Sequence, residues 1–416
     1  WFKLGCISFG GPAGQIALMQ AELVEKRRWI SQGRFLHALN YCMVLPGPEA
    51  QQLATYLGWL MHGVRGGIAA GALFVLPSLL LLIGLSWAYL ALGPAESAGL
   101  LAGVKPAIVA VVLFAAWRIG RNTLRHPALW GIALASLLLL GLAPSGAWTY
   151  PLLIGAAATG GWLLRRVIKP ATHEMSETKA HLPALIDDHS PPPVQARIHR
   201  KSLLRMATCG LLLGVGVWAV LATSMGPSST LAAMGAFFTQ AALLTFGGAY
   251  AVMPYVFQNA VETHAWITPT QMLDGLALGE STPGPLIMVV AFIGYVGAAG
   301  GGNALLAGVA GALVATFFTF LPSFLFILIG APFVERSRGL RALSAPLTAI
   351  TAAVVGAILH LGFVLGWQVM MPLGEPDTFS MIWIATGLLV LLRGWLGVVP
   401  FILLSAIAGG FFNAFA

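Results

Sequence analysis

Charge is what this sequence has least of. Only 9% of its 416 residues are Asp, Glu, Lys or Arg, against 58% hydrophobic; a soluble domain carries roughly 25% charged residues. That shortage excludes an ordinary water-soluble globule. With a mean hydropathy of +0.85, most of the chain must lie in lipid. Cysteine is scarce too: Cys6, Cys42 and Cys209 are too few and too scattered for a disulfide frame and read as small helix-packing residues. The chain has no Walker loop, no GxGxxG, no HExxH and no CxxC, so an ATP-driven pump is unsupported and no cofactor is expected. The formal charge of +8 could suggest a nucleic-acid partner. The basic residues, however, sit in short loops between apolar runs, as orientation signals do, so none is expected. The chain opens at Trp1 without a Met; residues before it are expected, and no signal peptide can be judged.

What is present is a construction made twice, 237 positions apart. Phe9-Gly10-Gly11 recurs as Phe246-Gly247-Gly248, Glu25 as Glu262, and Trp29-Ile30 as Trp266-Ile267. Pro46-Gly47-Pro48 recurs as Pro283-Gly284-Pro285. Both copies put Gly and Pro where a membrane helix should be continuous. Duplicated halves with matching broken helices are the sequence mark of a secondary transporter, and the breaks point to the substrate site.

Apolar runs of spanning type lie near 67–90, 98–117, 128–143, 148–164, 206–224, 303–330, 343–365, 379–393 and 395–415. Four more, 1–23, 36–61, 232–260 and 272–298, hold the paired motifs. The chain divides into a first repeat (1–164), a polar cytoplasmic linker read as flexible (165–205), a connecting helix (206–229) and a second repeat (230–416). The halves place their basic residues in opposite loops. Lys26, Arg27, Arg28 and Arg34 have no basic counterpart near 263–271. Arg118, Arg121 and Arg125, read as a loop at 118–125, have none near 366–378. Conversely, Arg336, Arg338 and Arg341 answer a 91–97 loop without Lys or Arg. Positive loops face the cytoplasm, so the repeat is inverted. Keeping 26–34, Arg65, 118–125 and 165–205 all inside makes 36–61 a re-entrant hairpin from one face and 232–260 and 272–298 re-entrant hairpins from the other, the favoured reading. The competing reading makes each a full span and puts 26–34 outside. The expected fold is therefore an all-α polytopic membrane protein with inverted, Gly/Pro-broken repeats.

Two prolines within three residues remove two backbone donors and block helical geometry. Such a break is tolerated in lipid only where backbone is buried in protein or lines a polar cavity. The half-helix after each break starts with free N–H groups and a positive dipole end, an anion site. This makes Pro46, Gly47, Pro48, Pro283, Gly284 and Pro285 substrate-binding candidates, with Gly10, Gly11, Pro12, Gly247 and Gly248 at the other pair of breaks. A packing kink is the bland alternative. Glu49 and Glu280 flank the Pro-Gly-Pro motifs. A carboxylate in the membrane costs several kcal/mol unless paired, protonated or wetted, so both are candidates for proton coupling or gating, against a pairing or capping role. Asp274 reads as less deep. Lys105 could neutralise a divalent anion, pair with an intramembrane acid or snorkel. Ser8, Thr245 and Thr282 could donate to oxyanion oxygens or bond their own helices. The linker His173, His181, His189 and His199 have irregular spacing, and no metal site is expected.

The motifs FGGP (9–12), LPGPEAQQLA (45–54), VKPAIVAVV (104–112), FGGAYAVMPY (246–255) and ESTPGPL (280–286) resemble those of the chromate ion transporter family, and the resemblance covers nearly the whole chain. It implies a bacterial inner-membrane protein, not an enzyme, that exports chromate using the proton-motive force. It also implies that Gly10, Gly11, Pro12, Glu49, Lys105, Gly247, Gly248 and Glu280 fall on family positions. The second half departs from the first: Ala249 stands where Pro12 does, Ala345-Pro346 where Lys105-Pro106 does, and Leu286 where Glu49 does. The expected partners are chromate or a sulfate-like oxyanion, protons and the lipid bilayer, with a homodimer open. A sulfate-type carrier or anion channel, and more remotely an intramembrane enzyme, are the rival readings.

Overall fold

In the computed structural model, residues 1–9, 11–142, 149–165, 184–187, 190, 200–246, 248–300, 304–335 and 344–415 are described. They form sixteen α-helices and no sheet. In the first half these are α1 (Phe2–Ile7), α2 (Gly11–Gln20), α3 (Gln32–Cys42), α4 (Glu49–Leu101), α5 (Val104–Thr123), α6 (Pro127–Leu142) and α7 (Thr149–Leu163). Then come α8 (Arg200–Met225), α9 (Thr230–Leu244), α10 (Ala249–Phe257), α11 (Pro269–Ser281), α12 (Val289–Ala299) and α13 (Leu305–Val334). The last three are α14 (Ser344–Met370), α15 (Thr378–Arg393) and α16 (Val398–Phe415). Four are long and apolar enough to cross a membrane by themselves: α4 over Glu49–Gly93, α8, α13 and α14. α8 begins at Arg200, six residues before the apolar run that predicts it. α5 continues through Arg118 and Arg121 to Thr123, so these two arginines lie on a helix and not in the loop expected at 118–125.

The 237-residue repeat holds down to single dihedral angles. A π-helical turn follows α2 at Ala21–Lys26 and recurs after α10 at Gln258–Thr263. Arg28 and Ala265, register twins, are the two non-glycine residues with positive φ among the described residues, at 52° and 49°. Ser31 caps α3 and its twin Thr268 caps α11, the latter in a capping box with Gln271 and with Pro269 opening the helix. α4 leaves helical geometry at His62-Gly63 and at Gly93, and Gly300, the twin of Gly63, ends α12. Each Pro-Gly-Pro therefore sits at the tip of a hairpin of two short arms: α3 with residues 49–61, and α11 with α12. Arms of 11 to 13 residues reach about 16–20 Å, short of a hydrocarbon core about 30 Å thick.

The linker fixes which faces the hairpins enter from. Leu185 and Ile186 donate their N–H groups to the carbonyls of Arg28 and Trp29, and Ser31 donates back to Ile186, at 2.9–3.1 Å. Arg34 donates to the carbonyls of Asp187 and Ser190 and forms a buried ion pair with Glu335, which also accepts from the Tyr56 hydroxyl at 2.6 Å. So 28–34, the linker strap (184–187 with Ser190) and the end of α13 share one face. This decides for hairpins: the full-span alternative would put 26–34 opposite the linker. It also shows the strap docked where a flexible linker is expected; linker positions 166–183, 188–189 and 191–199 lie outside the described residues. α13 runs 30 residues, about 45 Å, away from Glu335, so the base of the α11–α12 hairpin at its start lies on the opposite face.

The two halves interlock. α14 packs on α5, α6 and α7, and α5 also packs on α15 and α16. The post-kink part of α4 and α13 cross antiparallel: a side chain added at Gly67 would meet Leu328, and one at Gly71 would meet Phe324.

Candidate functional site

The hairpin tips meet the opposite repeat near the middle of its long helix. Gly47 and Gly284 have φ of 128° and 120°, which only glycine adopts freely. Added side chains there would strike Ser323 of α13 and Ser78 of α4, respectively. The Gly47 N–H donates to the Thr245 carbonyl and the Gly284 N–H to that of Ser8, both at 2.7 Å. Ser8 and Thr245 end α1 and α9 with nearly equal dihedrals, φ −83° ψ 86° and φ −79° ψ 83°. Each Pro-Gly-Pro is thus tied to the Phe-Gly-Gly break of the other repeat. The amides of the two central glycines are thus used within the protein. The Gln15 side chain donates to the Gly284 carbonyl at 2.5 Å.

An added side chain at Gly248 would lie 3.9 Å from the Pro12 ring, so the starts of α2 and α10 converge. A small cavity opens beside them, lined by Gly11, Arg118, Tyr250 and Glu280, with Val111, Phe114, Ala115 and Val398 as its apolar wall. The Tyr250 hydroxyl donates to the Glu280 carboxylate. The Arg118 guanidinium lies over the Phe114 ring at 5.9 Å. Chemically this is one cation and the positive ends of two helices next to one acid whose charge can be removed by a proton.

Of the residues expected from sequence, Gly11 and Glu280 line the cavity, and Pro12 and Gly248 adjoin it. Pro46–Pro48 and Thr282–Pro285 form the inter-repeat joints; the Thr282 hydroxyl donates to the Gly279 carbonyl of its own helix at 3.3 Å. Gly10 and Gly247 lie outside the described residues. Glu49 starts α4 at the first tip and is not in the cavity wall. Lys105 is away from it, paired with Asp274 at 3.5 Å, the second of the roles open to it. Asp274 is only 2% exposed and also accepts from the Tyr89 hydroxyl at 2.8 Å, deeper than expected.

Sequence reading missed Arg118, Tyr250, Ser78 and Ser323. Arg118 was legible as helical, since nothing breaks the helix before His126-Pro127. The serines end a further repeated motif, Leu76-Pro77-Ser78 and Leu321-Pro322-Ser323. It is spaced 245 apart, eight residues off the register of the others. Tyr250 has Ala13 as its twin, so no repeat signal marks it.

Inverted repeats, hairpins broken at mid-membrane and a charged cavity between the halves define a multi-pass membrane transporter. The chain belongs to the chromate transporter family, whose model matches residues 1–162 and 232–411. It is 34% identical to the chromate transport protein of Pseudomonas aeruginosa over 86% of this chain and 77% of the other. It is 29% identical to the probable chromate transport protein of Synechococcus elongatus over 99% and 94%. With the chromate transport protein of Cupriavidus metallidurans it shares 29% identity over 86% and 79%. No solved structure matches.

Proposed function

We propose that this protein carries chromate out of the cytoplasm across the bacterial inner membrane, driven by the proton-motive force. The observation that carries this is the cavity where Arg118 and the starts of α2 and α10 meet the Glu280–Tyr250 pair. With Glu280 ionised, Arg118 faces an internal carboxylate. Protonation of Glu280 removes that competitor and leaves the guanidinium and helix ends to a doubly charged oxyanion. Anion and proton thus bind and leave together, so a divalent anion crosses with a net charge of −1. An inside-negative potential favours exit of that net charge by about 2.3 kcal/mol per 100 mV, so the electrical part of the proton-motive force drives export. Chromate accumulation in everted vesicles carrying this protein, with and without a pH gradient, tests the coupling. Flux that ignores the gradient, or a Glu280→Gln protein that still responds to it, overturns the proton role.

A carrier is favoured over a channel by two buried ion pairs that join the repeats. Arg34–Glu335 lies at the linker face and Lys105–Asp274 lies on the arm that enters from the other. Sulfate has the same charge and shape as chromate, and counterflow competition between them in proteoliposomes ranks the two substrates.

A further inference from the structure

The two hairpin tips are alike in backbone and unlike in side chains, so each is a control for the other. Gly47 and Gly284 share their dihedral angles and their cross-repeat bonds, and each abuts a serine of the opposite repeat. After the second tip the helix continues with Leu286, Met288, Val289 and Phe292. Their register twins after the first tip are Glu49, Gln51, Gln52 and Thr55. The second tip shows that the joint closes with apolar residues in the helix that follows it, so folding does not require the polar set at the first.

That polar set is buried and left with unused acceptors. Gln51, Gln52, Thr55 and Ser323 are all 0% exposed. The amide nitrogen of Gln51 donates to Thr55 Oγ1 at 2.9 Å and that of Gln52 to the Pro46 carbonyl at 2.7 Å. The remaining oxygens, Gln51 Oε1, Gln52 Oε1 and Ser323 Oγ, have no hydrogen-bond partner. The Gln52 amide and the Ser323 hydroxyl both crowd the same side of Gly47. Glu49 sits one helical turn from Gln52, on the same face of α4, and no ion pair holds it among the described residues. Oxygen acceptors without donors, beside an unpaired carboxylate and the loose backbone of a broken membrane helix, match what a small hard cation requires. A carboxylate at this depth also needs a neutralising partner.

We propose that the first hairpin tip binds one sodium ion, held by Gln51 Oε1, Gln52 Oε1 and Ser323 Oγ and charge-balanced by Glu49. The inference deepens the transport reading, on which it rests only for what the ion drives: sodium entry would be a second source of energy for anion exit.

The test is equilibrium binding of radioactive sodium to the purified full chain in detergent, without chromate, next to chromate flux in proteoliposomes. Wild type should bind sodium saturably, with lithium competing and potassium not. Gln51→Met with Gln52→Val installs the residues of the second tip, which that joint accommodates. This double variant and, separately, Ser323→Ala should weaken sodium binding roughly tenfold or more at unchanged melting temperature. No saturable binding by wild type, as expected if only water occupies these oxygens, or equal binding by both variants, overturns the proposal. A protein that moves chromate but binds no sodium overturns this inference alone. One that binds sodium but moves no chromate upholds the site and overturns the transport reading.

Discussion

In the proposed mechanism the single side chain of Arg118 draws the anion into the cavity. It is the cation of the cavity wall and is partly buried. Losing a charged partner at a shielded site costs about 2–5 kcal/mol. Arg118→Gln should therefore raise the KM for chromate in everted vesicles by roughly 100-fold. Arg118→Lys should recover part of the loss, because a point charge replaces a planar fork. Equal uptake by Arg118→Gln and wild type would place the substrate elsewhere. Gly47 and Gly284 act on the fold instead. At φ of 128° and 120° a β-carbon is strained by about 1–3 kcal/mol, and here it would also collide with Ser323 or Ser78. Gly47→Ala and Gly284→Ala should each lower the melting temperature in detergent. A shift at one glycine and none at the other would contradict the equivalence of the two joints.

At the scale of helices and hairpins, the ion pairs read as latches. Lys105, on the second residue of α5, holds Asp274 on the α11 arm, with Tyr89 of α4 as a second donor. Breaking a buried pair from one side leaves an uncompensated charge, at about 3–5 kcal/mol. Lys105→Ala should therefore be more disruptive than Lys105→Ala combined with Asp274→Asn. In proteoliposomes the double variant should let the α11–α12 hairpin move more freely, giving chromate exchange that continues when the pH gradient is collapsed. Tight coupling in the double variant would reduce the pair to a static support. The hairpins themselves were legible in sequence, because paired prolines around a glycine leave the backbone few choices. What each arm touches was not. Arg118 read as a loop charge since arginines near the end of an apolar run normally mark its exit, yet α5 extends one and a half turns further.

For the molecule as a whole, the inverted repeat makes a directional prediction. Lys26 and Thr263 are register twins, both exposed, just before the two hairpins. In a protein freed of Cys6, Cys42 and Cys209, Lys26→Cys should react with an impermeant thiol reagent only from the cytoplasmic side, and Thr263→Cys only from the other. Labelling of both from one side would refute the inversion. Charge counting anticipated this arrangement, since lysines and arginines seldom cross the membrane. The docked strap was not foreseeable. Its bonds are mostly backbone to backbone between residues more than 150 positions apart, and backbone groups carry no sequence signal.

The sequence by itself determined that this is a helical membrane protein built from two inverted, broken repeats. Hydrophobic length, the placement of positive charge and the chemistry of Pro and Gly are local properties, readable one segment at a time. Only the tertiary structure decided that each Pro-Gly-Pro closes on the other repeat, that Lys105 belongs to Asp274, and that Arg118 and Tyr250 join Gly11 and Glu280. Those pairings depend on how interlocked helices cross, and no single segment encodes the place where it meets a partner from the other half.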